Sequence, residues 1–254
     1  MSTKEEHLPD VKALHEAGRY EEALVLLCQR FAEAESEAAP NRNRYFMTLF
    51  EWRMLLEDYP PAQAPLRALR DAQIERMLAG AEYGGAAPGG RDDDYDYRRT
   101  SRFFLISEMN DMLRDERSTY DTFIQLDALH PVQADRYAHS ALPAVVAMQD
   151  FALADRYLGP PLESLDEVNA NARAMPLFPP RDQAPRLSSD LHNLVKSVRI
   201  GMAVLRGRGD TAAANALRVA LLDGLESSEL KDLARRELDE PGTIIRETVA
   251  RQDV

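Results

Sequence analysis

The side chains able to do chemistry are few and scattered. Five histidines (His7, His15, His130, His139 and His192) and one cysteine, Cys28, make up the imidazole and thiol groups of the chain. None of the histidines belongs to a His-Glu-x-x-His helix, and one cysteine does not complete a Cys/His zinc set. His130 precedes Pro131 at an expected helix end, where a donor can satisfy free carbonyls. His139 and Asp135 lie four apart on one helical face, a spacing that allows a hydrogen bond but equally suits a solvated pair. Cys28 sits inside an apolar helical stretch and reads as a small buried hydrophobe; no Gly-x-Ser-x-Gly elbow occurs anywhere in the chain. No catalytic residue, metal ligand or cofactor is expected.

Two further groupings deserve the same test. The glycines Gly80, Gly84, Gly85, Gly89 and Gly90 never lead into Gly-Lys-Ser/Thr and follow no strand, so a flexible loop explains them better than a phosphate cradle. Asp92, Asp94 and Asp96 alternate as the first ligands of a calcium loop do. Counting from Asp92, however, Tyr97 stands where an EF-hand needs glycine and Phe103 where it needs a bidentate glutamate, which excludes that site. What remains is the tract Asp92, Asp93, Asp94, Tyr95, Asp96 and Tyr97, either a solvated loop or an acidic and aromatic patch facing a basic protein partner. These six residues are the candidate protein-binding site. Acidic pairs elsewhere, such as Glu21–Glu22, Asp115–Glu116 and Asp166–Glu167, fall at helix starts, where negative charge complements the helix dipole. The clusters Arg98, Arg99 and Arg102, and Arg206 and Arg208, read as surface charge.

The whole-chain balance narrows the function classes. Forty-three acidic against 31 basic residues give 254 residues a formal charge of -12, which argues against direct nucleic-acid binding, since that affinity comes from neutralising phosphates. A chain of this length buries roughly three quarters of its unfolded surface without staples. A lone cysteine, a polar start without a signal-like apolar stretch and the lack of a bilayer-length run make cytoplasm the expected compartment, with no membrane partner. Lys4, Lys12, Lys196 and Lys231 are the only lysines among the 31 cations, an arginine bias that, with abundant alanine, fits a GC-rich bacterial genome.

Hydrophobic spacing is helical almost throughout. Leu8, Val11 and Leu14, then Tyr20, Ala23, Leu24, Leu27 and Phe31, predict a hairpin about Gly18. A helix over 42–57 places Phe46, Leu49, Phe50, Arg53 and Met54 on one stripe and ends before Pro60-Pro61. The next, over 62–79, turns Leu66, Leu69, Ala72 or Gln73, and Met77 inward. Residues 81–97 break the pattern. Phe103, Ile106, Asn110 and Leu113, then Tyr120, Phe123, Ile124 and Asp127, give another hairpin. Pro143 should kink or break a helix over 132–149. After a proline-rich connection, Leu191, Leu194, Val195, Val198, Met202 and Leu205 mark the clearest amphipathic helix, with shorter helices following to the end. No sustained period-two alternation occurs.

Three junctions share a local pattern: Gly18-Arg-Tyr20-Glu-Glu-Ala23, Gln149-Asp-Phe151-Ala-Leu-Ala154 and Gly209-Asp-Thr211-Ala-Ala-Ala214. A turn residue is followed two later by a side chain that fills space beside the turn, and three after that by an alanine that lets the helices approach. In these junctions the chain resembles the tetratricopeptide-repeat family. The resemblance implies stacked antiparallel helical hairpins and a protein-binding surface. Ala23, Ala154 and Ala214 do not keep that family's period of about 34 residues, so the expected fold is an all-α, irregular tetratricopeptide-like solenoid, with a compact helical bundle as the alternative. The expected organisation is N-terminal hairpins over 1–80, a flexible acidic and glycine-rich loop over 81–97, and C-terminal hairpins over 98–254 packed with the first block as one domain. The expected function is non-enzymatic protein binding, as an adaptor or regulatory protein. One alternative is an immunity-type inhibitor of a basic toxin. The other is a helical enzyme or small-molecule sensor with a pocket around Trp52, Tyr120 and Phe123.

Overall fold

The computed structural model describes residues 10–87, 98–181 and 183–252. The helices of the first part are α1 (Val11–Glu16), α2 (Tyr20–Ser36), α3 (Arg42–Asp58), α4 (Gln63–Leu78), α5 (Arg102–Leu113), α6 (Glu116–Leu129) and α7 (Pro131–Ala147). They are followed by α8 (Phe151–Tyr157), α9 (Leu165–Ala174), α10 (Arg186–Gly207), α11 (Thr211–Gly224), α12 (Ser228–Asp239) and α13 (Thr243–Gln252). Among the described residues the only other regular features are a 3-10 turn at Pro60–Ala62 and an isolated antiparallel bridge between Tyr83 and Ser101. The class is all-α, as the spacing predicts. No helix among the described residues is long and apolar enough to cross a membrane. The chain divides into two compact units, Met1–Ala144 and Val145–Val254, the boundary falling within α7. That helix runs through Pro143 without the break that is one of the two outcomes expected there.

Four helix-to-helix junctions use one device. Gly18, Arg114, Gln149 and Gly209 have φ of 70°, 53°, 61° and 84°. At each, the turn residue's N–H reaches back to the carbonyl three residues earlier and the next N–H to the carbonyl five earlier, as in Gly18 to His15 (2.9 Å) and Arg19 to Leu14 (2.9 Å). This paired closure satisfies the last carbonyls of one helix. At three of them the following residue, Asp115, Asp150 or Asp210, caps the next helix by accepting from the amides of Ser118, Leu153 and Ala213. The residue five past each turn (Ala23, Thr119, Ala154 and Ala214) is buried. The Arg114 junction escapes the sequence pattern because neither glycine nor alanine marks it.

In the first unit Ala23, Leu27 and Phe31 of α2 pack with Tyr45, Leu49, Trp52 and Leu55 of α3, Leu66 of α4 and Leu105 and Met109 of α5. In the second, α10 is the central element. Its Leu191, Leu194, Val195, Val198 and Met202 meet Val168 of α9, Leu221 of α11, Leu230 and Leu233 of α12 and Ile244 of α13. Glu237, almost fully buried, accepts from the N–H groups of Gly242 and Ile244 (both 2.9 Å) and so satisfies free amides at the start of α13.

Residues 81–87 are the described part of the stretch read as a flexible loop. They form no helix, yet their backbone is pinned: Gly84 N–H donates to Thr100 O (2.9 Å), Ala86 N–H to Glu37 O (2.6 Å) and Ala87 N–H to Ala38 O (2.9 Å). Gly84 lies against the Tyr45 ring so closely that a Cβ would overlap it. The glycine here serves close approach as well as turning.

Candidate functional site

The tract Asp92, Asp93, Asp94, Tyr95, Asp96 and Tyr97 lies outside the described residues, as does His7. The other histidines stand apart from one another chemically. His15 places Nε2 3.0 Å from Asp58 Oδ2. His130 caps the end of α6, its N–H donating to Leu126 O at 2.7 Å. The Nδ1 of His139 is 3.2 Å from Ser140 Oγ. Burial holds His192 below its ordinary pKa despite Glu237 3.5 Å away. Among the described residues no cluster of His, Cys, Asp or Glu is arranged to hold a metal ion. Cys28 is half-buried, and desolvation raises its thiol pKa, which disfavours the reactive thiolate. Trp52 and Phe123 are fully buried in packing roles, with Trp52 Nε1 donating to Ala62 O at 3.2 Å and the Phe123 ring edge-on to Phe103.

The structure instead brings together two features of the first unit that sequence reasoning missed. The first is a buried network of charges. Glu35 of α2 accepts from Arg102 Nη1 of α5 (2.7 Å), from Arg76 of α4, from the Tyr45 hydroxyl of α3 and from Gly85 N–H (3.3 Å). Arg102 also donates to Gln73 of α4 and to Gly85 O (3.2 Å). Burial pushes the Glu35 carboxyl upward, but the hydrogen bonds from Tyr45 and Arg102 and the guanidinium charge outweigh it and hold its pKa below the ordinary carboxylate value. The Tyr45 phenol is raised by the same burial and by its bond to the carboxylate, so it stays protonated.

Two smaller groups extend the pattern. Glu82 accepts from Arg136 and from the Tyr137 hydroxyl (2.5 Å) of α7. Arg70 of α4 donates to Asn110 of α5 and to Asp115 Oδ2 (3.0 Å), and Asn110 donates to Thr119 Oγ1 (3.0 Å). A carboxylate fixed in its charged form by guanidinium groups is a poor proton shuttle at neutral pH. Its evident work is to fix four helices and the 81–87 segment, because an unpaired charge there is costly. The available signal was a polar residue breaking an apolar helical face: Gln73 and Asn110 fall on such faces in the sequence.

The second feature is the outer face of α3. Its inner face, Tyr45, Thr48, Leu49, Trp52 and Leu55, is buried. The outer face carries Phe46, Met47, Phe50 and Met54, which are 56%, 48%, 49% and 43% exposed. The stripe read from sequence therefore splits: Leu49 packs inward while Phe46, Phe50, Arg53 and Met54 face out. Phe46 and Phe50 stack with ring centroids 6.4 Å apart. Two grooves flank this stripe. One, of about 270 Å³, lies against α1 and is lined by Val11, His15, Met47, Phe50 and Met54. The other, about 70 Å³, lies against α5 and is lined by Phe46, Phe50, Phe104, Glu108 and Met112. Burial raises the Glu108 carboxyl even with Arg53 nearby. Elsewhere among the described residues, the exposed large hydrophobics come one or two to a helix, which is ordinary for a protein surface. Four on one helix face, beside two grooves, are the composition of a docking surface: aromatic anchors with adaptable thioethers.

Compared with family models, curated proteins and solved structures, the chain matches none of them.

Proposed function

We propose that this chain is a non-enzymatic protein-binding module, built of tetratricopeptide-like helical hairpins, that docks a partner on the outer face of α3. The observation that carries the reading is the exposure of Phe46, Met47, Phe50 and Met54 on a helix whose opposite face is already committed to the core. The partner supplies apolar side chains to the two grooves, in the manner of an amphipathic segment laid into a hydrophobic groove. Its flanks are basic. Around the stripe the ion pairs Lys12–Glu16, His15–Asp58, Arg30–Glu51 and Arg53 with Glu108 and Asp111 place five carboxylates against three permanent cations. An immunity-type inhibitor is the form of this reading in which the basic partner is a toxin, with the acidic rim accelerating encounter.

The test is site-specific photo-crosslinking in the native host, with the crosslinker at Phe50 and, as control, at exposed Val219 of α11. A partner captured at position 50 and not at 219 is then reconstituted from purified protein and measured against Phe46→Ser and Phe50→Ser. A central aromatic anchor is worth about 2 kcal/mol or more, so each substitution should weaken binding roughly 30-fold or more. Equal capture at both positions, or unchanged affinity of both variants, would overturn the reading.

A further inference from the structure

The groove between α3 and α5 is not uniformly apolar. Phe46 and Phe50 wall it on the α3 side and Phe104 and Met112 on the α5 side, so three aromatic rings from two helices border a space of about 70 Å³. Two charged residues share the wall, Arg53 and Glu108. Aromatic faces attract cations through the ring quadrupole. The Phe104 ring already takes part in one such contact, with Arg42 Cζ 5.5 Å from its centre; Arg42 itself does not line this groove.

Glu108 supplies the independent observation. Its side chain is 43% exposed and so reaches solvent. Among the described residues its one ion pair is with Arg53, whose Nη2 lies 3.7 Å from Glu108 Oε2, too far for a hydrogen bond. The same nitrogen is 2.8 Å from Asp111 Oδ2, so Arg53 is committed to the neighbouring carboxylate. Burial, with Asp111 close by, pushes the Glu108 carboxyl above its ordinary pKa more than Arg53 pulls it down. Glu35 of the same unit is the contrast: Arg76, Arg102, Tyr45 and Gly85 donate to it and its pKa is held low. Glu108 is thus a carboxylate short of donors on a groove walled by aromatic rings, a combination complementary to an ammonium group.

We propose that this groove receives one unmethylated lysine side chain of the segment docked on α3, its methylenes along Phe46, Phe50 and Phe104 and its ammonium donating to Glu108. The inference rests on α3 being a docking face and names the residue type that enters this groove. The apolar contribution of that residue is its own methylene stem, which lies on apolar surface while the charged head stays near water. Counting roughly 10–15 Å³ for a water-sized group, the space holds a handful of heavy atoms, enough for an ammonium and the methylenes behind it. A guanidinium brings five N–H donors to satisfy where the groove offers one carboxylate short of donors, and trimethylation removes the N–H groups that Glu108 lacks.

The experiment is titration of the full chain with n-butylammonium, n-butylguanidinium, n-butyltrimethylammonium and n-butanol at constant ionic strength, followed by chemical shifts. Saturable shifts at Phe46, Phe104, Glu108 and Met112 are expected with butylammonium, at lower concentration than with the other three. Glu108→Gln should weaken butylammonium binding about fivefold, while Glu21→Gln, the same charge loss on an exposed residue of α2, should leave it unchanged. Binding of any of the other three probes as tightly as butylammonium would overturn the proposal. So would equal affinity of the wild type and Glu108→Gln, equal weakening in both variants, or no localised shifts in a wild-type chain whose spectrum shows it folded. Such results leave the docking face standing wherever Phe46→Ser and Phe50→Ser still weaken the captured partner, so the two failures are told apart.

Discussion

The two compact units keep their helices together by different means. The second is held by a continuous apolar seam along α10, with Glu237 as a buried charge turned to capping α13. The first sinks Glu82, Arg70 and Arg102, and most of the Glu35 side chain, among its helices while leaving two phenylalanines and two methionines of α3 facing out. Buried ion pairs add little net stability over apolar packing but are costly to break, and they fix geometry. Apolar side chains left outside add nothing to folding stability and stay available to a partner. On the function proposed above, the second unit serves as scaffold and the first carries the docking face.

The strongest way to break this contrast is Arg102→Met. Removing Arg102 leaves buried Glu35 with half-exposed Arg76 as its remaining cation and Gln73 and Gly85 O without their guanidinium donor, and should cost about 3 kcal/mol. Hydrogen exchange should show lost protection in α2 to α5, and Trp52, the only tryptophan, should report the change by fluorescence. Equal loss of protection in α10 to α12 would remove the distinction. The counterpart is Leu194→Ala in the seam of α10, expected to cost about 2–5 kcal/mol by leaving a cavity, with protection lost first in α10 to α12.

Acid should separate the units more gently. The pKa of Glu35 is depressed in the folded state, so its stabilisation is complete above the ordinary glutamate value. It is lost as pH falls through the lower folded value. Trp52 fluorescence during acid titration should therefore show the first unit weakening across that window, and Glu35→Gln should flatten the dependence. A slope unchanged by that substitution would locate the acid sensitivity elsewhere.

Smaller effects probe the hairpin device that the units share. Asp210→Ala removes the side-chain cap of α11 and should cost about 1 kcal/mol. Gln149→Gly should gain a comparable amount, because a non-glycine residue at φ of 61° carries a penalty of about 1 kcal/mol. Denaturant midpoints measure both. The smallest change is expected for Met47→Ser, within about 0.5 kcal/mol in the isolated chain, since half the side chain already meets solvent. A larger loss would mean that the α3 face supports the fold and is not reserved for a partner.

The helices and their ends were largely legible in the sequence. Of the expected α10 seam, Leu191, Leu194, Val195, Val198 and Met202 are in the core; Leu205 is only partly buried, and Leu187 joins the core without having been expected. The turns at Gly18, Gln149 and Gly209 were marked by their residues, because paired hydrogen-bond closure and capping are local acts. Pro143 does not break α7, which runs from Pro131 to Ala147. The α3 stripe was ambiguous because both faces of that helix are apolar, and helical period alone cannot say which one is turned inward. The acidic tract at Asp92 drew attention by composition, and it lies outside the described residues.

By itself the sequence determined the all-α class, most helix boundaries and the junction geometry, all set by spacing and by residues within a few positions of each other. Only the tertiary structure decided that Glu35 meets Arg102 across 67 residues and that Phe50 stays at the surface. Charge pairing, exposure and cavities depend on which faces meet, and that is fixed by packing between helices distant in sequence.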